Sequence, residues 1–243
     1  MFAPQAGYDR ALTIFSPDGR LYQVEYAIET VRHGTLAMGI RYKDGVVLCA
    51  EEKLRKLQAG GQSQKLFQVD EHVGIVAAGY VPDARVMVDN VRVFAQNNRL
   101  IYDEPLEVEG VARKLGDMAQ QYTQYAGVRP FGVSLIVAGV DGKTPAIYVT
   151  DPSGTYLGFD AVAIGGGSEQ ATELLEQKYK EDMKLEEAIS LAVESVKKAG
   201  EDKGEPKHVK VAVIDTESRK LRHLSEEEVG KYIKGPSQPE KQS

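Results

Sequence analysis

The order of the predicted elements favours an α+β fold in which two antiparallel sheets pack face to face between two layers of helices. Predicted strands come in pairs joined by short polar turns, at 35–51, 66–79 and 131–151. Predicted helices also come in pairs, one pair after each of the two later groups of strands. This order lacks the strand–helix alternation of a doubly wound parallel sheet. A chain of 243 residues can bury the core of such a four-layer α/β/β/α domain.

The first predicted element is a helix over about residues 20–32. It follows the turn Ser16-Pro17-Asp18-Gly19, in which proline presets φ and glycine closes the turn. One face of the helix is apolar at helical spacing, and two tyrosines lie on an adjoining stripe. The apolar positions are Leu21, Val24, Ile28 and Val31, and the tyrosines are Tyr22 and Tyr26.

The remaining elements follow from changes of hydrophobic period. Strands are predicted at 35–40, 45–51, 66–69, 73–79, 131–140, 146–151, 156–165, 208–215 and 220–224. Helices are predicted at about 83–98, 106–125, through Leu174 and Leu175, and at 185–198. Asp83 is expected to cap the first of these helices and Gly127 to end the second. Ser225 and Glu228 have capping-box spacing at the start of a terminal helix.

Composition excludes several classes of function. A net charge of −6 argues against general nucleic-acid binding. The single cysteine, Cys49, forms no internal disulfide and indicates an intracellular, cytoplasmic protein. No apolar run has the length of a membrane span, and residues 1–7 do not resemble a signal peptide. The histidines lack zinc-site spacing, so we expect no metal and no cofactor; they are His33, His72, His208 and His223.

Five segments of the chain resemble the proteasome alpha-subunit family, in its archaeal type. They are GYDRALTIFSPDGRLYQVEYA (7–27), HGTLAMGI (33–40), KLFQVDEHVGIVAAG (65–79), QQYTQYAGVRPFGVSLIVAGVD (120–141) and DPSGTYLGFDAVAIGGGSEQA (151–171). The resemblance implies the α/β/β/α sandwich of the N-terminal-nucleophile hydrolases, which agrees with the predicted order of elements.

The resemblance raises the question of whether the chain is itself a catalyst. Thr35, Glu51 and Lys65 lie where a catalytic β-type subunit would have its nucleophile, acid and lysine. An autoprocessed threonine protease, or a free-standing amidase, would need Thr35 as a free N-terminus whose amine serves as base. If the Gly34–Thr35 bond stays intact, the nitrogen of Thr35 is an amide without that basicity. Because the helix over 20–32 looks structural rather than disposable, we favour a non-catalytic subunit.

In the family, the segment before this helix gates an axial pore. Residues 1–12 would form a flexible gate, and the body of the domain would run over 13–234. The residues that correspond to the gate cluster are Tyr8, Asp9, Arg10, Pro17 and Tyr26. Proline and tyrosine can stack there while each hydroxyl finds a polar partner.

Two further sites are implied by the resemblance. A pocket between adjacent subunits would receive the C-terminal carboxylate of an activating ATPase, and a loop would line the pore entrance. The pocket residues are Glu25, Gly34, Lys65 and Tyr80, and the loop residues are Tyr125, Gly127, Val128 and Arg129. The loop 54–64 directly precedes Lys65 and looks flexible, which would weaken the placement of Lys65 in the pocket. Tyr80 would narrow the pocket.

The implied partners are other alpha subunits in a seven-membered ring and catalytic β subunits. The resemblance also implies two further partners. They are a regulatory ATPase with a C-terminal hydrophobic-Tyr-X tail and unfolded protein substrates in transit. We expect neither nucleic acid nor a membrane as partner, and we expect a disordered polar tail over 235–243.

Overall fold

Two five-stranded antiparallel sheets form the middle of the molecule. The computed structural model describes residues 13–54, 57–58, 63–200 and 205–234. The strands are β1 (Ala37–Tyr42), β2 (Gly45–Glu51), β3 (Leu66–Asp70), β4 (Val73–Gly79), β5 (Val133–Asp141), β6 (Thr144–Thr150), β7 (Tyr156–Gly158), β8 (Ala161–Ile164), β9 (Val209–Asp215) and β10 (Arg222–His223). The sheet orders are β10-β9-β2-β1-β8 and β3-β4-β5-β6-β7.

Helices cover both outer faces of this pair of sheets, and the first helix packs at the end of the sandwich. They are α1 (Tyr22–Arg32), α2 (Val81–Tyr102), α3 (Val108–Gln124), α4 (Ser168–Lys178), α5 (Leu185–Ala199) and α6 (Glu226–Lys234). Side chains of α2 and α3 pack on the sheet that contains β4 and β5. Side chains of α4, α5 and α6 pack on the sheet that contains β1 and β2. A third apolar cluster fills the space between the sheets. The predicted four-layer α/β/β/α fold is therefore confirmed.

Two predicted strands match the structure, and one predicted strand is divided in it. Strands β2 and β4 have the predicted bounds. The run 156–165, however, is not one strand: β7 pairs with β6 in one sheet, and β8 pairs with β1 in the other. The chain crosses between the sheets at Phe159 and Asp160, directly after Gly158.

The predicted roles of Asp83 and Gly127 were wrong. Helix α2 begins at Val81, with Tyr80 at the capping position, so Asp83 is the third helical residue and not the cap. Helix α3 ends at Gln124, and its cap is Tyr125 in extended conformation. Gly127 lies beyond this end with φ +86°, a value that glycine adopts without strain. The capping box at the start of α6 is confirmed, because Ser225 and Glu228 bond each other's backbone amides.

Helix α1 is built into the end of the sandwich. It contacts β4 and β5, and it buries Tyr22, Val24 and Val31. At its end, a Cβ on Gly34 would overlap the backbone of Gly79. This close approach of two backbones requires glycine and fixes α1 tightly over the sheets.

Within the described residues, no helix is long and apolar enough to cross a membrane. The same part of the chain holds no group of three or more His, Cys, Asp or Glu side chains arranged for a metal ion.

Candidate functional site

Thr35 and Lys65 meet in a buried polar centre between α1 and the sheets, which we call the Thr35 centre. Thr35 lies two residues before β1, and Lys65 lies directly before β3. The Lys65 ammonium donates to Thr35 Oγ1 at 2.7 Å and to the Thr35 carbonyl at 2.7 Å. It also reaches the carbonyls of Leu36 at 3.2 Å and Glu51 at 3.1 Å. The structure thus brings together the Thr35, Glu51 and Lys65 that the sequence predicted as a set, with Glu51 contributing its carbonyl.

Burial dominates the electrostatics of this centre. Lys65 is only 5% exposed. Burial disfavours the ammonium and lowers the pKa of Lys65 to about 8, whereas the charges of Glu52 and Glu51 act in the opposite direction. A Glu52 carboxylate oxygen accepts from the Lys65 backbone amide at 3.0 Å and from the Ser63 hydroxyl. Lys65 is therefore held both at its backbone and at its ammonium.

The hydroxyl of Thr35 and the peptide that precedes it are both engaged in hydrogen bonds. Thr35 Oγ1 donates to the Glu51 carbonyl at 2.6 Å, and its oxygen accepts from Lys65. The preceding carbonyl, that of Gly34, accepts from the Gly166 amide at 2.6 Å. The Gly34–Thr35 peptide is thus part of a packed junction. With that bond intact, the chain offers no α-amine at Thr35 to act as base.

A second site lies on the surface beside α1, and we call it the α1 groove. Its volume is about 320 Å³. One wall is α1 and the other is formed by the start of α2 and the segment before β5. The lining residues are Gln23, Tyr26, Ala27, Thr30, Tyr80, Arg129, Pro130 and Gly132. Tyr26 and Tyr80 are about half exposed. The groove joins residues that the sequence assigned to three different sites: Tyr26, Tyr80 and Arg129.

An ion pair supports the wall of the groove that lies opposite α1. The Arg129 guanidinium donates to both carboxylate oxygens of Asp83, at 2.6 and 2.9 Å, and lies 5.4 Å from the centre of the Tyr80 ring. The bonds from Asp83 raise the pKa of Arg129, and partial burial opposes this. Sequence reasoning missed this role of Asp83, because no local pattern relates residues 46 positions apart.

The other predicted residues are spread over the same end of the molecule. Glu25 on α1 pairs with Arg20, which lowers the pKa of its carboxyl. Pro17 and Tyr125 are exposed, and Val128 is half-buried. Lys65 does not line the groove. Tyr8, Asp9 and Arg10 lie outside the described residues, as do residues 235–243 and most of the loop 54–64.

Two antiparallel sheets between helical layers, with a threonine and a lysine joined at one end, define a protein of the N-terminal-nucleophile hydrolase type. The family model for proteasome subunits matches residues 31–214. The model for the N-terminal signature of A-type proteasome subunits matches residues 8–29.

Relatives match almost the whole chain. The proteasome alpha subunit of Methanosarcina thermophila is 49% identical over 95% of this chain and 94% of its own length. The proteasome alpha subunit of Pyrococcus horikoshii is 47% identical over 95% and 88%. That of Archaeoglobus fulgidus is 45% identical over 96% and 95%. The chain belongs to the proteasome alpha-subunit family. The alpha-type signature supports a non-catalytic subunit over the catalytic β-type alternative.

Proposed function

We propose that this chain forms part of the alpha ring of a proteasome core particle, where it gates the axial pore and receives a regulatory ATPase. Peptide hydrolysis belongs to partner β subunits in this account, and unfolded proteins pass the alpha ring on the way to them. The observation that carries the proposal is helix α1. It buries an apolar face and joins Thr35 through a glycine junction, so residues 22–34 are a structural part of the domain.

The gate would be residues 1–12, which precede the turn at Pro17. Tyr26 supports this assignment, because it stands 51% exposed on α1 at the rim of the groove. An exposed tyrosine ring offers an apolar face with a polar end to a segment that moves over it. Tyr8, Asp9 and Pro17 would complete the cluster that holds the gate open.

Deletion of residues 2–12 tests the gate. In a reconstituted alpha–beta particle without an ATPase, we expect severalfold faster hydrolysis of a short fluorogenic peptide. Deletion of residues 235–243 is the matched control and should leave the rate unchanged. An unchanged rate after the N-terminal deletion would contradict the gate.

Docking of an ATPase tail is assigned to Glu25, Gly34, Lys65 and Tyr80, in a pocket between neighbouring subunits. The exposure of Tyr80 supports this role. The burial of Lys65 speaks against a direct ion pair with a bound carboxylate, because its ammonium already donates to four acceptors within the chain. Docking at Lys65 stays a prediction that requires this side chain to turn outward.

Peptide titration separates these roles. Lys65→Ala should weaken binding of a C-terminal hydrophobic-Tyr-X peptide to the assembled particle if Lys65 turns outward. Lys178→Ala, which changes a surface lysine on α4, is the control. Unchanged affinity for the Lys65 variant, with the ring assembled, would restrict Lys65 to the Thr35 centre.

We also propose that the chain pairs with other alpha subunits in a seven-membered ring and that it resides in the cytoplasm. Light scattering of the purified chain with its β partner tests the ring, since a monomer or small oligomer would contradict it.

A further inference from the structure

We propose that Asp83 is the positioning residue for the segment 125–132, and that it fixes the shape of this wall of the α1 groove. The place of that segment at the pore entrance rests on the proposed function. The segment keeps one conformation because a carboxylate on α2 holds it at two points.

Asp83 makes three hydrogen bonds to this segment. Two come from the Arg129 guanidinium, in a two-pronged pairing at 2.6 and 2.9 Å. The third comes from the buried backbone amide of Gly132 at 2.9 Å. Charge-assisted bonds of this two-pronged kind define orientation as well as distance. One side chain thus holds both Arg129 and the Gly132 backbone that leads into β5.

The position of Asp83 on α2 suits an anion. It is the third residue of the helix, where free backbone amides and the helix dipole favour negative charge. Its side chain is 12% exposed, whereas that of Arg129 is 56% exposed. The carboxylate is therefore the buried anchor, and the arginine is the part that meets the groove.

Two other contacts tie the same segment to its surroundings. Arg129 Nη1 also donates to the carbonyl of Pro130 at 2.9 Å, so the guanidinium bonds to its own segment as well. The Tyr80 amide donates to the Gly132 carbonyl at 2.7 Å. Loss of Asp83 would release Arg129 from its carboxylate partner and remove the side-chain bond to the Gly132 amide, while this backbone bond and the pairing of Val133 with Gly79 would remain.

The consequence concerns polypeptide passage. Tyr125 is 60% exposed and Val128 is half-buried, on the stretch that Asp83 restrains through Arg129. Once released, these side chains are free to move into the passage. A long chain contacts the entrance at every step of its transit, whereas a short peptide diffuses past it. Passage of long substrates should therefore depend on Asp83 more than passage of short ones.

Amide hydrogen exchange in the assembled particle tests the positioning itself. For Asp83→Asn we expect amides of residues 126–132 to exchange roughly tenfold faster, and for Asp83→Ala faster still. The control is Asp70→Asn, which breaks a comparably buried ion pair with Arg99, also on α2, at 2.9 Å. Unchanged exchange in the 126–132 segment would overturn the inference. Arg129→Lys, which keeps the charge but loses the two-pronged geometry, gives a second measurement should Asp83 variants fail to assemble.

Substrate length tests the consequence. In particles that also lack residues 2–12, the ratio of unfolded-protein to short-peptide hydrolysis should fall at least about threefold for Asp83→Asn and stay unchanged for Asp70→Asn. Faster exchange with an unchanged ratio would overturn the role in passage. If deletion of residues 2–12 fails to accelerate peptide hydrolysis, the gate proposal fails, and the exchange result still decides the role of Asp83.

Discussion

The Thr35 centre and the α1 groove lie at the same end of the fold but differ in almost every physical respect. The centre is buried, and its ammonium donates to four acceptors of the same chain. The groove is open, and Tyr26 and Tyr80 present half of their surface to it. The chain therefore retains the threonine and lysine of a hydrolase active site as buried structural residues. The side chains that a partner could reach lie in the groove instead.

Helix α1 adjoins both regions. It leads through the tightly packed Gly34 junction into Thr35, and its residues Tyr26 and Thr30 line the groove. Retention of α1 therefore has two consequences at once. It keeps the nitrogen of Thr35 in a peptide bond, and it forms one wall of the groove.

Gly34→Ala should have the largest effect, because the new methyl group would overlap the backbone of Gly79. We expect a loss of unfolding free energy on the order of 4 kcal/mol, or failure to assemble. Gly230→Ala is the control, since a Cβ at that position meets no atom within 4 Å. Denaturant unfolding measures both variants. Equal stability would show that α1 is not tightly joined to the sheets.

The next effect is a pH dependence that arises from Lys65. Its folded pKa of about 8 lies below the unfolded value of 10.5, so between these values the unfolded state binds more protons. Lys65 alone should therefore make the unfolding free energy rise with pH across this window, by about 3 kcal/mol at roughly 1.4 kcal/mol per unit. Above pH 9 the Cys49 thiol, whose pKa burial raises to about 12, contributes in the opposite direction, so the rise should be clearest between pH 8 and 9.

Lys65→Met, which removes the titrating group at similar volume, should abolish that rise, whereas Lys178→Met should preserve it. Urea titrations at pH 7.5, 9 and 10, values chosen as approximate points across the window, measure the slope. A slope that persists in Lys65→Met would assign the pH dependence elsewhere and weaken the contrast between the buried centre and the groove.

Thr35→Val should have a smaller effect on stability and none on hydrolysis. The variant loses the bond to the Glu51 carbonyl and one acceptor of Lys65, which together contribute about 1–2 kcal/mol. Peptide hydrolysis by the reconstituted alpha–beta particle should be unchanged, because Thr35 is not a nucleophile. Any substantial loss of hydrolysis would place catalysis at the centre.

Tyr26→Ala and Tyr80→Ala should change stability least, by under about 1 kcal/mol, because half of each ring already faces solvent. Their effect should appear in gating and ATPase docking, measured by peptide hydrolysis with and without the ATPase. A large drop in thermal midpoint with unchanged gating would make both tyrosines structural residues.

Much of the fold could be predicted from local pattern. Strand pairs such as β3–β4 carry alternating or apolar runs with turn residues between them, and these patterns are local. Gly158 and Asp160 interrupt the run 156–165, but they do not show that its two halves join different sheets. Sheet membership there is decided by strands that lie far away in the sequence.

The two sites differ in the same way. The set of Thr35, Glu51 and Lys65 was predicted from resemblance, and the structure supplied the contacts. The pairing of Asp83 with Arg129 was not predicted, because a carboxylate near a helix start usually indicates a cap. Only the tertiary fold reveals that its partner comes from a segment before β5.

The state of the Gly34–Thr35 bond in the assembled particle tests the central claim most directly. Trypsin should release residues 33–41 as one peptide, since Arg32 and Arg41 flank this bond. Mass spectrometry should find that intact peptide from every copy of the chain. Detection of a peptide that begins at Thr35 would show that the segment before it is removed, and it would contradict the assignment of α1 as a permanent part of the protein.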